Sequence, residues 1–185
     1  MIQHITRQEQ ETSVWSGGTT TQLFIYPTES SYAERNFLLR ISSATVDVEE
    51  SDFTLLPGYQ RLLMLLNGRL HITHKNQGNE ELLPFQVHAF SGDWQTHARG
   101  KVTDFNVIYH PKLKPTLSHQ SLSKYQTNSI ALAQFNLVYV VSGEITFDSK
   151  TIYAQDAIFI AHQSSLFVQA QEDSILIIVS LPELP

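Results

Sequence analysis

The chain has 185 residues, 42% of them hydrophobic, which is enough to bury a core in one ordinary domain or in two small fused ones. Eighteen acidic against twelve basic residues give a formal net charge of −6, which repels polyanions and argues against nucleic acid as a partner. The absence of cysteine excludes disulfides, zinc-thiolate sites and thiol nucleophiles. The N-terminal residues have no apolar signal region and no run is long enough to span a bilayer, so we expect a cytoplasmic protein with no membrane contact.

Short apolar runs bounded by turn residues recur along the whole chain. They are rich in Val, Ile, Phe and Tyr, have the length of strands, and none keeps a 3.6-residue period for three turns. This pattern predicts an all-β protein with little helix. The predicted strands cover residues 21–26, 37–48, 61–68, 69–74, 101–109, 136–143, 144–147, 156–161, 166–170 and 174–180.

Two of these runs match each other in sequence. The residues "LMLLNGRLHI" around Gly68 align with "VYVVSGEITF" around Gly143, and each is followed by a similar series of strands. The two glycines are 143 − 68 = 75 positions apart, which is too long for a solenoid repeat and suits a duplicated small β-barrel. We therefore predict an N-terminal barrel over 1–112, a polar surface linker over 113–129, and a smaller C-terminal barrel over 130–185 that shares strands with the N-terminal segment.

A series of motifs in the first 110 residues resembles the HutD/Ves family. The motifs are "WSGGTTTQLFIYP" at 15–27, "RISSATVDVEESDFTLLPGYQR" at 40–61, "FSGD" at 90–93 and "VTDFNVIY" at 102–109. The resemblance implies a bicupin, that is, two cupin-type barrels with jelly-roll-like strands fused in one chain. It also implies a protein of histidine utilisation or stress induction that binds a small acidic metabolite, such as formylglutamate or urocanate. One departure is the turn after Trp15, where many members have Trp-x-Asn-Gly-Gly-Gly and this chain has Ser16-Gly17-Gly18.

The histidines do not form the usual metal-binding pattern of catalytic cupins. Such cupins hold a divalent metal through a His-x-His pair, a nearby glutamate and a later histidine. His71 and His74 are three positions apart, so on a strand they point to opposite faces. We therefore expect no metal and no other cofactor. The rival interpretation is a metalloenzyme, an isomerase or dioxygenase, with an unconventional set of ligands formed by His88, His97 and Asp104.

Arginine occurs at the start of two predicted strands whose apolar face points inward. Arg61 shares a face with Leu63 and Leu65, and Arg40 shares a face with Ser42 and three small or apolar residues. A guanidinium at the end of a core-facing row lies at the mouth of a barrel. The planar fork of Arg61 suits a carboxylate, so we predict a pocket for an anion there.

Three further residues complete the predicted site. A third strand places Asp104 and Asn106 on one face, and Trp15 offers an apolar cover. Two arginines and one aspartate leave one positive charge for the ligand. The alternatives are a buried ion pair among Arg40, Arg61 and Asp104, and simple core packing for Trp15.

The sequence thus predicts a non-enzymatic binding protein for a small carboxylate metabolite that regulates or buffers amino-acid catabolism, and histidine catabolism in particular. In the second barrel, Asn136 aligns with Arg61 (136 − 75 = 61), and the closing strand "SILIIVS" carries no Asp or Asn, so that barrel is predicted to be dry. A structural role, with the second barrel as the surface of a homodimer, is the remaining alternative.

Overall fold

The computed structural model describes residues 1–185, and nearly all of its regular structure is strand. The only helix is a short 3-10 segment, Arg7–Glu9. The all-β class is therefore confirmed. No helix is long and apolar enough to serve as a membrane span. The strands are β1 Ile2–Ile5, β2 Glu11–Trp15, β3 Gly18–Tyr26, β4 Leu39–Val46, β5 Glu50–Asp52, β6 Gln60–Gly68, β7 Leu70–His74, β8 Gly78–Leu82, β9 Val87–Ser91, β10 Thr96–Arg99, β11 Val102–Tyr109, β12 Thr116–Leu122, β13 Thr127–Ala131, β14 Phe135–Ser142, β15 Glu144–Phe147, β16 Lys150–Tyr153, β17 Ala157–Ala161, β18 Ser165–Ala170 and β19 Ser174–Leu181.

The strands form two compact units, each made of two antiparallel sheets. The central unit, residues 11–113, has a six-stranded sheet in the order β2-β3-β4-β11-β6-β9 and a four-stranded sheet in the order β5-β10-β7-β8. The terminal unit, residues 1–10 and 114–185, has a five-stranded sheet in the order β1-β17-β14-β19-β12 and a four-stranded sheet in the order β13-β18-β15-β16.

The strand order repeats between the units. The series β4-β11-β6-β9 in the central unit corresponds to β12-β19-β14-β17 in the terminal unit, and β5-β10-β7-β8 corresponds to β13-β18-β15-β16. Every strand number differs by eight between the two copies. The match between the residues around Gly68 and Gly143 therefore reflects one architecture that is present twice in the chain.

The boundaries in the structure differ from the predicted division into 1–112, 113–129 and 130–185. Residues 1–10 belong to the terminal unit, where β1 pairs with β17, and the segment predicted as a linker contains β12 and the start of β13. The strand β12 was missed because it lies at the edge of its sheet, where it pairs with β19 alone and buries only Leu117 and Leu122. Its other residues are exposed or half-buried polar groups, so no apolar run marks it.

The core of the central unit lies around β6. Five successive residues of this strand, 61–65, are buried, and Leu63 and Leu65 belong to one cluster with Ile72 from β7 and Phe90 from β9. The strand pairs with β11 on one side and with β9 on the other, so its backbone is fully inside the sheet. This central position fixes the direction of every side chain on β6, including that of Arg61.

Two turn glycines of the central unit differ in how much space a side chain would have. Gly58 (φ +82°) and Gly68 (φ +90°) both have a left-handed backbone, which costs an L residue about 1–2 kcal/mol. A Cβ at Gly58 would meet open space, whereas one at Gly68 would lie 2.6 Å from the carbonyl oxygen of Lys101.

We expect Gly68→Ala to lower the free energy of unfolding more than Gly58→Ala does, since only Gly68→Ala adds a clash with backbone to the cost of the positive φ. The difference should be at least about 1 kcal/mol. Urea denaturation of the two variants and of the parent chain measures it. Equal losses in the two variants would show that the turn at Gly68 relaxes freely.

Candidate functional site

A cavity of about 330 Å³ opens in the central unit, between strands of its two sheets. The structure places around this one cavity all six residues that the sequence predicts for ligand binding. These residues are Trp15, Arg40, Ser42, Arg61, Asp104 and Asn106. Their role in binding stays a prediction, but their convergence is a property of the fold.

The register of three neighbouring strands explains why these polar groups meet. β11 lies between β4 and β6, and Asn106 is opposite Ser42 on one side and Leu63 on the other. Arg40 and Arg61 both lie opposite Ile108, on either side of β11. Alternate residues of a strand share a face, so both arginines and the polar residues of β11 face the same space.

Arg61 is buried at the wall of the cavity, and no carboxylate lies within ion-pair distance of it. Its guanidinium carbon lies 4.8 Å from the ring centroid of Phe53 and 5.4 Å from that of Phe90, so the positive charge lies on two aromatic faces. Its Nε is buried and has no hydrogen-bond partner. Burial lowers the pKa of Arg61 to about 10, which still leaves the group charged at neutral pH.

Arg40 is the second cation of the cavity and is held by neutral partners. Its Nε donates a hydrogen bond of 2.9 Å to Oε1 of Gln22, and its Nη1 lies 3.5 Å from Oγ of Ser42. Its guanidinium carbon lies 4.3 Å from the ring centroid of Tyr32. Burial lowers the pKa of Arg40, and no acidic side chain approaches to within 4.0 Å.

Asp104 is buried beside the arginines, but it forms no ion pair with either of them. The ion pairs of the structure involve other residues, and Oδ1 of Asp104 has no hydrogen-bond partner at all. Oδ1 of Asn106 on the same strand is also without a partner. The alternative of a buried ion pair among Arg40, Arg61 and Asp104 is therefore not what the structure contains. Buried polar atoms without partners are uncommon, and here three of them belong to the wall of one cavity.

Trp15 ends the exposed edge strand β2 and contributes its ring to the cavity. The ring lies over the backbone of Gly17, where a Cβ would overlap it. The glycine of the "WSGG" turn therefore makes room for the ring. With 39% of its surface exposed, Trp15 is not packed in a core, so the core-packing alternative does not describe its position.

Two aromatic residues of the cavity, and the glutamine that binds Arg40, were not predicted from the sequence. Tyr32 lies in the irregular connection between β3 and β4, Phe53 follows the short strand β5, and Gln22 is on β3 next to a register shift. None belongs to a regular alternating pattern. Gln22 lies opposite Ser42 in the ladder of β3 and β4, so its position depends on the register of the sheet and not on a local sequence pattern.

The equivalent place in the terminal unit is apolar. Arg61 is opposite Ile108, and its counterpart Asn136 is opposite Ser180, so Asp104 and Asn106 correspond to Leu176 and Ile178. Both of these counterparts belong to the apolar core of the terminal unit.

Asn136 itself is fully hydrogen-bonded. It accepts from the backbone N–H of Ala133 and from Oγ of Ser180, and it donates to the carbonyl of Ala133. At the position where the central unit has polar atoms without partners, the terminal unit has none.

The residues of the rival metal site do not come together. His88 Nε2 lies 2.8 Å from Nε2 of His74, and His97 Nδ1 lies 2.8 Å from Oδ1 of Asp52. Neither histidine lines the cavity that holds Asp104. No group of three or more His, Cys, Asp or Glu residues in residues 1–185 is placed to share a metal ion.

The charges of the cavity favour an anion. Arg40 and Arg61 carry two positive charges, and Asp104 carries at most one negative charge. Burial raises the pKa of Asp104 to about 7, and the nearby Arg61 opposes this shift without cancelling it. The buried wall of the cavity is thus positive at neutral pH whichever form Asp104 takes.

Two units with the same order of antiparallel strands, fused in one chain, are the arrangement of a bicupin. A family model described as HutD matches residues 7–178, so the chain belongs to the HutD family, which confirms the resemblance found in the sequence. The family is linked to histidine utilisation. A relative from Pseudomonas putida, described as an uncharacterised 21.2 kDa protein in the hutC 3' region, is 39% identical over 71 residues, which are 36% of this chain and 37% of the relative's length.

Solved structures share the fold over nearly the full chain. A conserved protein of unknown function from Pseudomonas aeruginosa PAO1 has a TM-score of 0.82 and 21% identity, and covers 99% of this chain and 100% of its own. The structure of HutD from Pseudomonas fluorescens SBW25, in a formate condition, has a TM-score of 0.72 and 24% identity, and covers 98% of this chain and 99% of its own. The pirin YhhW from Escherichia coli in complex with nickel(II) has a TM-score of 0.74 and 13% identity, with 99% and 100% covered. These likenesses confirm the cupin-type fold.

The burial of Asp104 predicts a pH dependence of stability. Its pKa is raised from 3.8 to about 7 in the folded chain, so its contribution to stability is fully present below the unfolded value and is lost as the pH rises through about 7. Asp104→Asn removes this dependence. We expect the free energy of unfolding of Asp104→Asn, relative to the parent, to rise by on the order of 2 kcal/mol between pH 5 and pH 8. Urea denaturation at the two pH values measures it, and a difference that does not change with pH would contradict the burial of an ionisable carboxyl.

Proposed function

We propose that this protein binds a small carboxylate metabolite in the cavity of its central unit and acts in the cytoplasm as a non-enzymatic sensor or buffer of histidine catabolism. The observation that carries the proposal is the pair of guanidiniums, Arg40 and Arg61, which share one cavity with no carboxylate within 4.0 Å of either. Arg61 is the residue expected to bind the carboxylate directly.

The energetics of burial support an anionic ligand. A buried cation without an acidic partner is costly, and contacts with aromatic faces and neutral acceptors offset only part of that cost. A ligand carboxylate would supply charge-assisted hydrogen bonds to the guanidinium fork, which are about twice as strong as neutral ones. The site is therefore arranged to gain more from binding an anion than from remaining empty.

The size and lining of the cavity support a small, partly apolar ligand. A volume of about 330 Å³ is at the small end of the range for metabolite pockets. Tyr32, Phe53 and Trp15 offer aromatic surface next to the arginines. A carboxylate joined to a short chain or to a planar ring, as in formylglutamate or urocanate, suits this combination.

A binding role is supported over catalysis by the side chains of the cavity. Its lining includes serine and threonine hydroxyls but no histidine, lysine or cysteine, and Oδ1 of Asp104, its one buried acid, forms no hydrogen bond with any of these hydroxyls. The Pseudomonas putida relative is described by its place next to hutC, which supports a role in histidine utilisation.

The test is a thermal-shift and calorimetric screen of the purified chain with formylglutamate, urocanate, glutamate and formate. A ligand that binds only the folded state raises the melting temperature by mass action. We expect at least one of these acids to stabilise the parent, and Arg61→Ala and Arg61→Met to reduce the affinity by at least tenfold. The methionine variant keeps an unbranched stem against Phe53 and Phe90, so it separates loss of charge from loss of packing.

Arg99→Ala is the matched control, because Arg99 is an exposed arginine of the same unit that does not line the cavity. It should bind like the parent. Wild-type affinity in both Arg61 variants would refute the proposed role of Arg61. No stabilisation by any of the acids would refute the proposed function.

A further inference from the structure

Asp104 is the buried acid of the cavity, and its surroundings contain no partner for an ionised carboxylate. It lies opposite Leu65 on β6 and Ala44 on β4, so the residues beside it in the sheet are apolar. The other acid of the cavity, Asp52, is largely exposed and is hydrogen-bonded to His97. The two acids therefore differ in their surroundings, and only Asp104 is shielded from solvent.

The charged and titratable groups around Asp104 come from three strands and one connection that border the cavity, while β2 and β3 contribute none. Arg61 faces it from β6, Arg40 lines the wall on β4, and Asp52 lies at the end of β5. Tyr32 contributes from the connection between β3 and β4. Arg61 is the only one of these groups that acts appreciably on the carboxyl of Asp104, and it does so without an ion pair.

The hydrogen-bonding pattern on β11 favours a protonated Asp104 over an ionised one. Oδ1 of Asp104 and Oδ1 of Asn106 are both buried acceptors with no donor. An ionised carboxylate can only accept, which leaves both oxygens unsatisfied, whereas a neutral carboxyl has an O–H that can donate. A proton on Asp104 therefore removes a buried negative charge that has no partner and adds a donor on β11, where both unpartnered atoms are acceptors.

We propose that the cavity takes up a proton from solvent at the carboxyl of Asp104 when it binds a carboxylate anion. The protonation state of Asp104 thereby sets the net positive charge that the buried wall offers to the ligand. This inference rests on the proposed function. Asp52 lies at the exposed rim of the cavity, so the buried wall has a net charge of +1 with Asp104 ionised and +2 with Asp104 neutral. Protonation of Asp104 thus adds one unit to the positive charge that faces a bound carboxylate.

The electrostatics of burial support the coupling. Desolvation already raises the pKa of Asp104 to about 7 in the unliganded chain, and an anion bound nearby raises it further because like charges disfavour ionisation. Slightly above neutral pH the free cavity is then mostly ionised and the occupied cavity mostly protonated. In that range the affinity for an anion falls roughly tenfold for each pH unit.

The first experiment is calorimetric titration with formylglutamate and with formate at about pH 8, in two buffers that differ in their enthalpy of ionisation. Neither probe has a group that titrates near this pH. We expect uptake of close to one proton for each anion bound by the parent and by Asp47→Asn. Asp47 is the matched control because it is an exposed aspartate just beyond β4 that does not line the cavity. Asp104→Asn should bind either probe without proton uptake and with an affinity that is constant across this pH range.

The second experiment reads the same carboxyl without any ligand. The ¹³C resonance of the Asp104 side-chain carboxyl, assigned by its absence in Asp104→Asn, is followed from acid to alkaline pH and should have its midpoint near neutrality. A midpoint near the ordinary value for aspartate, or anion binding without proton uptake, overturns the inference and leaves the proposed function standing. Loss of anion binding in Asp104→Asn also overturns the inference, because binding would then require the negative charge of Asp104. Failure of both probes to bind the parent refutes the proposed function and this inference together.

Discussion

The structure of the central unit depends on one unusual constraint, a guanidinium that is removed from water without an acidic partner. Arg61 lies on a strand with neighbours on both sides, so its side chain cannot leave the cavity wall without disturbing the sheet. The aromatic faces of Phe53 and Phe90 contact the charge, but they do not form the hydrogen bonds that a guanidinium makes in water. Arg61 also opposes the rise in the pKa of Asp104 that burial causes, so the charge state of the cavity wall depends on this one group.

The duplication shows that the architecture does not require this arrangement. The terminal unit repeats the strand order of the central unit, yet at the matching positions it has a satisfied asparagine and two apolar residues of its core. A cupin-type sheet is therefore stable with a dry interior at this place. The polar wall of the central unit adds cost to the fold without being needed for it, which is typical of a functional site.

Much of the fold and the candidate site could be predicted from the sequence, because the relevant strands are buried and strictly alternating. The inward direction of Arg61 follows from Leu63 and Leu65, and the pairing of β4 with β11 brings the remaining polar residues to the same face. The polar edge strands could not be predicted, since β12 buries only two of its residues and β2 buries none. The same limit applies to Tyr32 and Phe53, because residues in loops are positioned by tertiary contacts and not by a local period.

The pairing of β1 with β17 has a consequence for how the chain is made. Residues 1–10 belong to the same unit as residues 114–185, so the central unit is inserted between two parts of the terminal one. During synthesis the whole central unit leaves the ribosome before any partner of β1 exists. The strand β1 therefore remains unpaired until residues 157–161 have been translated, whereas all strands that form the sheets of the central unit are available before that point.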